Sequence, residues 1–138
     1  ALRAAADAME PLARGQGFWE FKAYVRLNQE FHDALLALAD SDMLARSLAQ
    51  VTALPFASAS AFVQAQASLA ESREILLIAQ AQHRAVVDAI AGREGARAEA
   101  LMREHAKVAQ RNLRIAIKNK DFSEIPGGKL IRKEALLF

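Results

Sequence analysis

The chain has no cysteine. Disulfides, thiolate metal sites and a cysteine nucleophile are therefore excluded, and the composition fits a reducing cytoplasm. No apolar run approaches the roughly 18 residues that a membrane helix needs; Ile75-Leu76-Leu77-Ile78-Ala79 is the densest patch. Neither sign of charge dominates, with 18 basic and 16 acidic residues and a net charge of +2. Such a surface gives no strong reason for the domain itself to bind nucleic acid. Aromatic residues make up only 7% of the chain against 31 alanines, a balance that favours closely packed helices over a β-sandwich. Also missing are a Gly-rich phosphate loop, a G-x-S-x-G elbow and an H-E-x-x-H helix. The opening ALRAAADAMEPLARG carries Asp7 and Glu10 and no continuous apolar stretch, so it does not read as a signal peptide. It starts in helix-like sequence without Met, as expected of a segment of a longer protein.

What is present is helical periodicity. A chain of 138 residues suits one domain with a substantial core. Residues 1 to 14 place Leu2, Ala5, Ala6, Met9 and Leu12 or Ala13 on one side, with Pro11 expected to kink or restart the helix. Gly15-Gln16-Gly17 breaks the chain. A second helix is expected from Phe18 to about Ala39, with Phe18, Phe21, Val25, Phe31, Leu35 and Leu38 apolar. Asp40-Ser41-Asp42 ends it and supplies an N-cap for a third, Met43 to about Thr52. Pro55 and the Ser/Ala stretch after it bend the path before a helical stretch over roughly 61–70. Ser72 is the expected N-cap of a long helix to about Ala91, with Ile75, Ile78, Ala79, Val86 and Ile90 as its buried stripe. Beyond Gly92-Arg93-Glu94-Gly95, a last helix runs from Ala96 to about Asn119, carrying Leu101, Met102, Val108, Leu113 and Ile117. The expected architecture is all-α, an antiparallel bundle of about six helices over residues 1–120 with a central pocket. A tail, 121–138, packs on the bundle or on a neighbouring chain.

The three histidines are placed suggestively. His83 and His105 are 22 residues apart, and the midpoint of that interval, residue 94, falls in the glycine-flanked turn. In an antiparallel hairpin the two imidazoles lie at the same height. Asn28 precedes His32 by one helical turn and shares its face. A mononuclear site for Zn²⁺, Ni²⁺ or Mn²⁺ wants three or four N/O donors from different elements. An Asn/His pair plus one His from each of two antiparallel helices supplies such a set inside a bundle. The bland alternative is three unrelated core or surface histidines. Asn112, two turns after His105, and Gln80, three residues before His83, are either hydrogen-bonding groups of the same pocket or helix-surface amides. Glu104 points about 100° away from His105 and reads as solvated rather than as a general base.

These residues carry a family resemblance. NQEFHDALLALADSDML holds an Asn, a Phe-His pair and spaced leucines; AQHRAVVDAIAGREGARAEALMREHAKVAQRNL holds a His, a short turn and a Met-x-x-His helix. Over about residues 20 to 115 the chain resembles the effector-binding FCD domain of GntR-type transcriptional regulators of the FadR subfamily. The resemblance implies a divalent ion held by Asn28, His32, His83 and His105, with a small carboxylate effector completing its coordination. It implies a non-enzymatic, cytoplasmic homodimer that meets operator DNA only through a winged-helix domain not included in this chain, which also lacks the first helix of the effector domain. Many members have Asp where Asn28 stands; a neutral amide is a poorer ligand for a hard cation and leaves the site more positive, which favours an anionic effector. Two rival readings are a bundle metalloenzyme that activates water at the His-rich site and a plain helical dimerisation module.

Overall fold

A computed structural model describes residues 1–15, 18–54 and 70–119. Five helices follow in chain order: α1 (Leu2–Arg14), α2 (Phe18–Ala37), α3 (Asp42–Thr52), α4 (Ala70–Ala91) and α5 (Gly95–Asn119). No strand occurs among the described residues, and the fold is all-α. The expected helical stretch over roughly 61–70 lies outside the described residues except for Ala70, which begins α4, and the tail 121–138 lies outside them.

α1 buries the face its periodicity defines. Ala6, Met9 and Ala13 are fully inside, while Leu2, Ala5 and Leu12 pack around them. The restart considered at Pro11 does not occur: the helix runs on to Arg14, and Pro11 forgoes only the one bond that its missing N–H would donate. A Cβ at Gly15 would lie 2.9 Å from the side chain of Glu20, so the absence of a side chain lets the start of α2 approach. α1 packs on α2 and α4, and α4 packs on α5.

α2 ends earlier than its apolar pattern suggests. The amides of Leu38, Ala39 and Asp40 each bond the carbonyl three residues back, and Asp40 takes a left-handed φ of 44°. Leu38 thus falls in the turn and is 59% exposed, not part of the buried stripe. Ser41 caps α3 as expected, its Oγ accepting from the Leu44 amide at 3.3 Å.

α4 departs from the expected pattern in two ways. It begins at Ala70, so Ser72 lies inside the helix instead of capping it; Ala70 and Glu71 are good helix formers that extend it backwards. Its buried set is also wider than one stripe, because α1 and α5 cover different sides of it. Leu76, Gln80, His83, Val87 and Ala89 join Ile75, Ala79 and Val86 inside, whereas Ile78 is 43% exposed.

The α4–α5 turn has a defined geometry. The Glu94 amide bonds the Ala89 carbonyl at 2.8 Å and the Arg93 amide bonds the Ile90 carbonyl at 3.0 Å. This paired closure is a Schellman motif, with Arg93 at φ 57° in the left-handed position that glycine usually fills.

Candidate metal centre

Three helices each contribute one histidine to a single point. His32 comes from α2, His83 from α4 and His105 from α5, and one ring nitrogen of each lies within 4.8 Å of the others. The Nε2 atoms of His83 and His105 are 3.2 Å apart, as the turn-centred spacing requires of a hairpin. Ring centroids are 5.4 Å apart for His32–His83 and for His32–His105. Nitrogen–metal bonds of about 2.0–2.1 Å in a tetrahedral site place two donors roughly 3.4 Å apart, so the His83–His105 pair already has ligand spacing.

The environment selects the neutral imidazole, the form that ligates metals. His83 is fully buried, while His32 and His105 are half-buried. Burial, then the neighbouring His105 and His32, push His83 down from its ordinary 6.5 to about 2. Burial and His32 take His105 down to about 4. Burial also lowers His32, opposed by the adjacent Asp33.

Hydrogen bonds orient the rings. Gln80 Nε2 donates to the Ala6 carbonyl of α1, and its Oε1 lies 3.3 Å from His83 Nδ1. Gln82 Oε1 lies 3.2 Å from His105 Nδ1. Both Nδ1 atoms therefore face amide oxygens, and both Nε2 atoms face the centre. His32 Nε2 is buried with no hydrogen-bond partner. An orphaned buried nitrogen is costly when left alone, and a cation shared with the other two rings would satisfy it. The donor set fits a borderline divalent ion.

Other residues stand around this core. Asn28 is buried one turn before His32 on α2. Phe31 packs on His83 at 4.4 Å between centroids and meets His32 edge-on at 5.5 Å, forming an apolar wall. Tyr24, two turns before His32, is buried with its hydroxyl unpartnered, and burial raises its phenol well above the ordinary range. Glu104 is exposed and paired with Lys107 at 2.7 Å, which places it in solvent. Asn112 lies on α5, but its side chain is outside the described residues. Sequence spacing does not single out Gln82. Its signal is the mirror that relates His83 to His105, since residues 82 and 105 stand at nearly equal distances from the turn.

A helical bundle that gathers nitrogen donors from three helices around a buried point is a ligand-binding module. The FCD-domain family model matches residues 1–108, and the chain belongs to that family, the effector-binding domain of GntR-family transcriptional regulators. No curated protein matches the chain. Among the described residues no helix is long and apolar enough to cross a membrane.

Proposed function

We propose that this domain holds a divalent metal ion (Zn²⁺, Ni²⁺ or Mn²⁺) through His32, His83, His105 and Asn28, and senses a small carboxylate that completes the coordination. The observation that carries the reading is the convergence of three neutral imidazoles, one with an orphaned buried Nε2. When bound, the ion supplies an electrostatic anchor for a carboxylate. The protein's part is to fix the donors and to withhold negative charge. Three neutral rings and a neutral amide leave the ion's two positive charges uncompensated, so an anionic ligand is strongly preferred to a neutral one. Phe31 lines one side with apolar surface.

In this reading the domain regulates and does not catalyse. It works as the effector-sensing and dimerisation part of a cytoplasmic FadR-type regulator, whose separate winged-helix domain contacts operator DNA. Effector binding shifts the dimer between two geometries by binding one more tightly, with coupling of about 1–3 kcal/mol.

Elemental analysis and thermal unfolding test this together. Protein loaded with Zn²⁺, Ni²⁺ or Mn²⁺ and desalted is expected to retain one equivalent of ion. Free ion at 100 times its Kd stabilises the fold by about 2.7 kcal/mol. Small mono- and dicarboxylates add a further thermal shift only when the ion is bound, and His83→Ala removes both effects. Ion-free protein after loading, with no carboxylate shift, would sink the proposal.

A further inference from the structure

We propose that Gln80 is a positioning residue that sets the tautomer of His83 and ties the ion-binding centre to α1. This rests on the metal reading above and assigns Gln80 to the histidine in place of the effector.

The assignment follows from which atoms donate and accept. The Ala6 carbonyl only accepts, so the amide group of Gln80 that faces it must be the NH₂. The oxygen of the same amide is thereby turned toward His83 Nδ1. An amide oxygen only accepts, so Nδ1 must carry the proton. His83 Nε2 is then an unprotonated lone pair aimed at the centre, 3.2 Å from His105 Nε2. One backbone carbonyl on α1 thus determines, through two hydrogen bonds, which nitrogen of a fully buried ring is free to ligate.

Gln80 is 1% exposed and both ends of its amide are engaged within the protein, so little of it remains for a bound carboxylate. The same two bonds form a mechanical line from ion to His83 to Gln80 to Ala6. α1 is otherwise held to α4 by apolar packing and by exposed ion pairs, Arg3–Asp88 at 2.8 Å and Glu10–Arg84 at 3.7 Å, which are worth little in water. The buried line is the polar connection through which loading the site firms the seat of α1.

Two variants of the full chain separate the parts. Gln80→Met keeps length and helix propensity but removes both bonds. Gln80→Glu, studied at a pH where infrared spectroscopy shows its carboxylate ionised, keeps an acceptor for His83 Nδ1 and loses the donor to Ala6. ¹⁵N NMR of the zinc-free protein is expected to show His83 in the Nδ1–H form in the unmodified chain and in Gln80→Glu, with that form lost in Gln80→Met. Zn²⁺ affinity is expected to fall about 10–100-fold in Gln80→Met and to be kept in Gln80→Glu. Zn²⁺ is expected to slow amide exchange across residues 5–13 in the unmodified chain and not in Gln80→Glu.

An Nε2–H tautomer in the zinc-free unmodified protein overturns the proposal. So does Zn²⁺ affinity in Gln80→Met within twofold of the unmodified chain, or equal slowing of α1 exchange in Gln80→Glu. If the unmodified chain binds no Zn²⁺, the metal reading falls and the line to α1 falls with it. Loss of the Nδ1–H form in Gln80→Met would still support the hold of Gln80 on His83.

Discussion

α2 and α3 are neighbours in the chain and opposites in environment. α2 buries Tyr24, Asn28 and Phe31 almost completely. α3 buries nothing, and its Met43, Leu44, Leu48 and Val51 are between 41% and 70% exposed. Both helices carry apolar residues at helical spacing, so amphipathicity by itself does not locate the core. The polar residues draw the sharper line. Asn28, Gln80 and His83 are taken inside where α1, α2, α4 and α5 meet, while leucines remain in water on α3. Buried polar groups and exposed apolar ones are the departures from ordinary burial that carry information. In this molecule they separate the crossing that gathers the histidines from a helix that merely follows it.

The strongest way to break that contrast is a pair of truncations. Phe31→Ala, at the fully buried wall of the histidines, is expected to cost about 3–5 kcal/mol in chemical denaturation. Leu48→Ala on α3 is expected to stay within about 0.5 kcal/mol. Equal losses at the two positions would erase the distinction between the helices.

A pH series probes the histidine side alone. The folded pKa values of His83 and His105 lie below the ordinary 6.5 of the unfolded chain. Between those values the unfolded state binds more protons, so acid favours unfolding. The stability contributed by the neutral rings is complete above about pH 6.5 and is lost as pH falls through the folded values, about 4 for His105 and about 2 for His83. For His83 alone the slope approaches about 1.4 kcal/mol per pH unit. Metal-free protein is expected to show this decline in thermal unfolding scans, and His83→Leu to flatten it. A flat profile from pH 7 to 5 would mean that the rings are not held neutral.

The smallest effect concerns Tyr24. Its hydroxyl is buried and unpartnered, so Tyr24→Phe is expected to leave the ligand-free protein equally stable or up to about 1 kcal/mol more stable. A marked loss of melting temperature would reveal a hydrogen bond to that hydroxyl.

Much of this could be read from the sequence because the governing signals are local. The face of α1, the Ser41 cap and the helical hairpin around residue 94 follow from periodicity, capping chemistry and glycine placement. The meeting of His83 and His105 follows from the hairpin, while the addition of His32 is what the family resemblance implies. What was not legible depends on neighbours. Ile78 fits the stripe of α4, yet two packing partners leave it on the uncovered side. Leu38 fits the stripe of α2, but the turn closes before it. The two ends of the Gln80 amide, one on Ala6 and one on His83, depend on α1 crossing α4, a contact 74 residues long that no local pattern encodes.

The turn between α4 and α5 is where a length gauge begins. Its Schellman closure places Arg93 in a left-handed conformation and starts α5 two residues later at Gly95. Each residue added or removed within the helical stretch from Gly95 to His105 would rotate His105 by about 100° about the axis of α5 and shift it by about 1.5 Å, swinging it off the shared point while leaving both helices intact. The capacity to gather a third nitrogen is therefore written in the number of residues between the turn and His105 as much as in their identity. A folded bundle and a bundle with three converging histidines differ in this chain by a count.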